Sequence, residues 1–125
     1  MPKGNRGSAT LEVSILAPVL LLVVFTIIQV GLWSYARSLA LGAAQEGVAA
    51  GRAYGAAAEA GRSRAQAFLD ATAGDSLVGS AVTSSATAVT VRVEVTGRAL
   101  SVLPGVPGLP VRQRAEGPLE RFTAP

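Results

Sequence analysis

Few side chains in this sequence can do covalent or acid–base chemistry. It has no histidine and no cysteine, which removes the usual neutral-pH general base, the thiolate nucleophile and the commonest zinc ligands. Its only lysine is Lys3, so a serine–lysine pair would have to be built in the amino-terminal leader. The carboxylates nearest one another in sequence are Asp70 with Asp75 and Glu116 with Glu120, and spacing alone raises neither pair above solvated surface charge. The glycines at 47, 51 and 55 do not open a helix after a strand, as a phosphate-binding loop requires. The formal charge of +3 comes mostly from single arginines scattered among acids, without the basic stripe and interleaved aromatics of a nucleic-acid surface. We therefore expect a non-enzymatic chain with no cofactor, no metal, no nucleic acid and no small-molecule substrate.

One short pattern carries more information. Gly7 precedes four small or apolar residues, beginning with Ser8, and then comes Glu12, immediately before an uncharged run over residues 13–36. A carboxylate at the edge of such a run is costly in lipid unless it is solvated or paired. It is also well placed for the dipole at a helix amino terminus. An amino group created on Ser8 would lie one helical turn away from Glu12.

The run over residues 13–36 is the element that positions these groups. About 20 apolar residues cross the roughly 30 Å hydrocarbon core at about 1.5 Å per residue, and a lone segment satisfies its backbone in lipid only as a helix. Lys3 and Arg6 precede it, while Arg37 follows and is opposed by Glu46, which favours a cytoplasmic amino terminus and an extracytoplasmic remainder. Trp33 and Tyr35 fall at the far boundary, where amphipathic rings prefer to sit. Pro18 removes one backbone hydrogen bond and predicts a local kink. Gln29, the most polar residue of the run, is either a tolerated passenger near the far leaflet or a hydrogen-bonding group for a neighbouring helix. The run exceeds the apolar core of a cleaved secretory signal, although Ser38-Leu39-Ala40 has the small-x-small form of a signal-peptidase site.

Residues 37–72 are rich in alanine and free of proline, which predicts that the helix continues outward with breaks at its glycines. Ala43, Gly47, Gly51 and Gly55 recur every four residues and share one face. That stripe of nearly bare backbone either receives another helix or reflects only a glycine- and alanine-rich composition. From residue 73 the period changes. Val89, Val91, Val93 and Val95 alternate with Thr90, Arg92, Glu94 and Thr96, the pattern of a half-buried strand. Thr96-Gly97-Arg98 offers a turn, with a return strand over residues 99–103. Residues 77–83 offer a strand before the central one. Residues 104–110 form a proline/glycine loop, and residues 111–115 a weak edge strand. With so few large apolar residues outside the run, the domain is expected to lean on its own helix, on partners or on the membrane surface.

The expected fold class is α+β: a long amino-terminal helix, transmembrane in its first half, then a small antiparallel β segment of two to four short strands with a Pro/Gly-rich loop. The expected divisions are a leader at 1–7, read as disordered together with the polar residues up to 12, a transmembrane helix at 8–36, an extracytoplasmic Ala/Gly-rich helix at 37–72, and the β segment with a loosely ordered tail at 73–125.

The junction of Gly7, Ser8 and Glu12 resembles the class III signal of type IV prepilins, in which a membrane peptidase cuts after a glycine and leaves a glutamate five residues into the mature chain. With Pro18 and the Ala/Arg-rich continuation from Arg37, residues 7 to about 54 resemble the TadE/TadG-like family of tight-adherence (Tad) pilus systems. The sequence from residue 89 onward, ending in Glu120-Arg121-Phe122, is similar to short members of that family. The resemblance implies cleavage between Gly7 and Ser8 by a prepilin peptidase, loss of the basic leader and retention of the whole helix. It also implies that Glu12 of one subunit neutralises the Ser8 amine of a neighbour, and that the partners are other pilin-like subunits and the pilus assembly platform. Val13 stands where the major pilins of these systems have a tyrosine after the glutamate, so the implied role is a minor, pseudopilin-like subunit. The alternative is a signal-anchored envelope protein that is never processed and binds a partner through its β segment.

Overall fold

The computed structural model describes residues 3–53 and 58–119. Tyr54, Gly55 and Glu120-Arg121-Phe122 lie outside the described residues. A first helix, α1 (Lys3–Arg52), contains Pro18 without interruption. It begins inside the stretch expected to be disordered. Once a helix is nucleated, each added residue contributes a further hydrogen bond, and glycines such as Gly4 and Gly7 oppose this by only about 1 kcal/mol each. The helix ends at Arg52, and a second helix, α2, spans Ala58–Thr72. The outward continuation, expected with breaks at its glycines, thus comprises the end of α1 to Arg52 and α2 from Ala58.

A short turn of 3₁₀ helix, Gly74–Ser76, leads into three strands: β1 (Leu77–Ala86), β2 (Thr90–Ala99) and β3 (Pro110–Pro118). They form an antiparallel sheet in the order β1-β2-β3. β1 carries a bulge between Val78 and Ala81, where Gly79 adopts φ +61°, a conformation open to glycine.

Three details of the sheet differ from the sequence expectation. The turn between β1 and β2 lies at residues 87–89 and contains no glycine. The Thr87 hydroxyl accepts the N–H groups of Val89 at 3.3 Å and Thr90 at 3.0 Å, while the Thr87 N–H donates to the Thr90 carbonyl at 2.8 Å. A threonine side chain here replaces the usual turn residues, so Val89 is exposed in the turn and the buried row starts at Val91. Gly97 makes no turn. It lies within β2, where an added Cβ would meet Leu77 Cδ1 at 2.8 Å, so its missing side chain is room for Leu77. The return strand expected over residues 99–103 is absent; the chain passes through a loop and returns as β3, the expected edge strand but longer than residues 111–115, paired with β2 along Pro110–Pro118.

The core lies between the inner face of β2 and the two helices. Val91, Val93 and Val95 are its largest fully buried side chains, each favoured by about 1.5–3 kcal/mol on burial. The helices accommodate them by being narrow. α2 runs back along α1, with Phe68 packed on Gly42, Arg64 paired with Glu46 at 3.2 Å and Gly61 against Gly47. A Cβ on Gly47 would lie 2.8 Å from the Gly61 carbonyl oxygen and 3.0 Å from Val93 Cγ1, and one on Gly51 would lie 2.9 Å from Val91 Cγ2. The small-residue face is therefore filled within the chain: the helix that approaches it is α2, joined there by β2. The outer face of the sheet carries Arg92–Glu116 at 2.6 Å and Arg112–Glu94 at 3.6 Å, exposed pairs that set register more than stability.

This packing predicts opposite outcomes at two glycines of α1. Gly47→Leu should destabilise the domain by about 1–3 kcal/mol through overpacking. Gly31→Ala, with nothing within 4 Å of the added carbon, should leave stability unchanged or slightly raised. Denaturant unfolding of the full chain in detergent, followed by the sheet signal, measures both.

Candidate functional site: the anchoring helix and its junction with the domain

The two halves of α1 face different surroundings. From Ala9 to Ile28 every residue is exposed, and the first buried side chain is Gln29. Beyond it, Ala36, Ala40, Ala43 and Ala44 are fully buried beneath the domain. Leu16, Leu21, Val24 and Ile27 are among the large apolar side chains that remain outside. Two of the hydroxyls within the bare half bond back to the helix: Ser14 donates to the Thr10 carbonyl at 2.9 Å and Thr26 to the Leu22 carbonyl at 2.7 Å, the back-bonding that removes a hydroxyl from an apolar surface. Over the described residues Ala9–Arg52, this is one helix long and apolar enough to cross a membrane. Its bare half is apolar all round, as suits a helix surrounded by lipid.

Gly7, Ser8 and Glu12 lie on this helix at its amino-terminal end, with Ser8 and Glu12 one turn apart along the backbone. Glu12 is exposed, and among the described residues no ion pair involves it. Gly47 and Gly51 are about ten turns further on, buried under α2 and β2. The structure therefore separates the residues grouped by sequence: Glu12 is exposed near the amino-terminal end of α1, while Gly47 and Gly51 are part of the domain core.

The carboxylates considered for chemistry are apart or paired otherwise. Asp70 accepts from Gln66 at 3.0 Å, Glu116 pairs with Arg92, and Asp75 lies in the short 3₁₀ turn. Among the described residues no group of acids is placed to hold a metal. At the start of α2, Arg62 hydrogen-bonds Glu59 and holds its carboxyl below the usual range.

The junction between the halves is built by two residues one turn apart on α1. The Gln29 amide donates from Nε2 to the Leu100 carbonyl at 2.9 Å and accepts at Oε1 from the Val102 N–H at 2.9 Å. Gln29 is neither a passenger nor a group for a neighbouring helix; it clamps the backbone of the β2–β3 loop. Trp33 Nε1 donates to the Pro110 carbonyl at 3.3 Å, at the loop's other end. The guanidinium of Arg37 lies 4.8 Å over the Trp33 ring, a cation–π contact at the boundary between the halves. At the far end of α1, Arg52 Nε donates to the Pro118 carbonyl at 2.9 Å. The sheet is thus fastened along the helix at both ends of β3. Signal-peptidase removal at Ser38-Leu39-Ala40 would discard Gln29, Trp33, Ala36 and Ala40, dismantling this contact.

The sequence reading missed the clamp because its partners are backbone groups 71 and 73 residues away. A polar amide in an otherwise apolar run, with an uncharged loop far downstream, was the available signal.

A helix with one bare apolar half and one half serving as the spine of a small sheet defines a membrane-anchored α+β protein. Residues 7–49 match the family model described as TadE-like protein. No curated protein and no solved structure matches the chain. The match begins at Gly7 and ends within the domain half of α1, so it takes in the processing junction, the bare half and the Gln29–Trp33 clamp.

If Gln29 holds the loop, Gln29→Leu should expose the Val102 amide. A buried hydrogen bond is worth about 1 kcal/mol, and roughly tenfold in an equilibrium follows from 1.4 kcal/mol. Hydrogen exchange at Val102 should therefore accelerate by about fivefold, while amides in the centre of β2 keep their protection.

Proposed function

We propose that the chain is a minor, pilin-like membrane subunit of a Tad-type pilus assembly or secretion system, acting by helix packing and without catalytic activity of its own. A prepilin peptidase cuts between Gly7 and Ser8. The basic leader remains on the cytoplasmic side, the domain lies on the extracytoplasmic side, and the retained helix moves laterally into an assembly of similar subunits. The new Ser8 amine and Glu12 then form complementary charges between neighbouring helices.

The observation that carries this reading is the TadE-like match, which opens on Gly7 and covers the bare half of α1. Two others support it. Ser8 and Glu12 are one turn apart on a continuous helix, so an amine at Ser8 and the carboxylate present opposite charges at one level of a bundle. The carboxylate is also exposed rather than committed to the domain. In an apolar surrounding such a pair is worth far more than in water, which gives Glu12 a reason to stand at the edge of lipid. The glycine stripe does not act between subunits in this mechanism, because Gly47 and Gly51 are covered by the chain's own α2 and β2.

Mass spectrometry of the amino terminus of the membrane-bound native protein should find Ser8 first. A chain starting at Met1 or Pro2 would rule out processing and leave the unprocessed, signal-anchored alternative. Glu12→Ala should be made and inserted normally but lose incorporation into the assembly, read by co-purification with the other subunits. Incorporation at the normal level would remove Glu12 from the mechanism.

A further inference from the structure

The loop between β2 and β3 is unusual for a surface connection. Residues 99–111 contain no charge, and between the buried ends Ala99 and Val111 three large side chains stay outside the core: Leu100 is 39%, Val106 50% and Leu109 46% exposed. The loop is held rigid. Pro104 and Gly105, the latter at φ +72°, make a tight turn closed by the Val106 N–H on the Leu103 carbonyl at 3.2 Å. Gly108 lies so close to the Ala99 carbonyl that no side chain fits there.

Its polar groups are largely turned inward or deleted. Ser101, the one polar side chain between Ala99 and Val111, donates to the Val106 carbonyl at 2.5 Å and accepts from the Leu103 N–H at 3.3 Å. The Ala99 N–H bonds the Leu109 carbonyl at 3.0 Å, and the Val102 N–H bonds Gln29. Pro104, Pro107 and Pro110 have no N–H to satisfy. Each donor bonded internally or deleted is one fewer left to satisfy when a non-helical segment enters an apolar medium.

The position of the loop agrees with its chemistry. Counting from Val13 at about 1.5 Å per residue, Gln29 is reached after about 24 Å and Trp33 after about 30 Å, where the hydrocarbon ends. The clamp therefore holds Leu100 and Val102 at a level that is still within the apolar layer. Arg98, opposite Pro110 in the register, and Arg112 flank the two ends of the loop, and Arg37 lies over Trp33. These cations sit where lipid phosphates would be.

We propose that residues 100–109 are a second membrane contact, with the side chains of Val106 and Leu109 among the acyl chains of the leaflet from which the domain emerges. The inference rests on α1 spanning a membrane. The loop and the helix then meet lipid side by side, and the domain is held down on the surface instead of swinging at the end of a rod. Gln29 is satisfied by a segment of its own chain that follows it into the apolar layer.

The chain's lack of cysteine allows a direct test. The full chain carrying Val106→Cys, or Ser85→Cys at the exposed end of β1, is labelled with an environment-sensitive fluorophore. It is then reconstituted at low protein-to-lipid ratio in phosphatidylcholine/phosphatidylglycerol vesicles. Flotation with the vesicles reports the span. Nitroxide-labelled lipids and aqueous iodide report the surroundings of each label. The label at 106 should be quenched by the lipid nitroxide and resist iodide several-fold better than the label at 85. A chain that floats with both labels equally open to iodide overturns the loop contact and leaves the span intact. A label at 106 shielded from both quenchers is covered by protein, in the first instance a second copy, and overturns it too. A chain that does not float loses the span and, with it, the loop contact.

Discussion

A helix that is bare in lipid at one end and buried in a water-exposed domain at the other must change its side chains at one level, and the fold is organised around that change. Below Gln29 the helix presents hydrocarbon on all sides, with Ser14 and Thr26 bonded back to their own backbone. From Ala36 onward its contact face is mostly alanine and glycine, joined by Leu39 and Val48. Between the two, Gln29 and Trp33 bond the ends of one loop. An amide at this level would cost several kcal/mol without partners. The loop backbone supplies two, so the residue least suited to lipid becomes the one that fixes where the domain begins.

The small residues above that level are what allow so little apolar side chain to make a core. Three valines are the largest side chains fully removed from water. They suffice because Gly47 and Gly61 let α1 and α2 approach backbone to backbone, and the sheet then closes over the crossing. The same choice of residues makes the domain dependent on α1. Ala36, Ala40, Ala43, Ala44 and Val48 belong to the anchor helix and to the core at once, so the domain has no core of its own apart from the helix that anchors it. A small sheet of this kind is marginal alone, and the helix is its missing layer.

Period and length were legible in the sequence; partners were not. The apolar run, the outward continuation of the helix and the alternation of Val91, Val93 and Val95 follow from spacing that any reader can count. Glycine was ambiguous throughout, since one missing side chain can mean a turn, a flexible joint or a hole. Gly97 was expected to be a turn and is a hole for Leu77. Gly47 and Gly51 suggested a face for another helix, and that helix is α2 of the same chain. The true turn at Thr87 carried no glycine, proline or asparagine, and its mark was a hydroxyl bonded to following N–H groups. Gly7, Ser8 and Glu12 were recognisable by resemblance, and the helix from Ala9 to Ile28 that follows them is exposed throughout.

That division has a consequence for association. Among lipid tails, apolar side chains gain nothing from meeting one another that they do not already gain from lipid, so selective pairing of membrane helices relies on close packing of small residues or on polar groups. The small-residue face of α1 is spent inside the domain, and the hydroxyls of Ser14 and Thr26 in the bare half are bonded internally. Above the span, selectivity then lies with the domain surface, which the clamps at Gln29, Trp33 and Arg52 hold at a fixed angle to the helix. Below it, the exposed polar group is Glu12, at the edge of the apolar run. The features able to select a partner thus lie at the two ends of the bare stretch, and the stretch between them offers only apolar side chains and back-bonded hydroxyls.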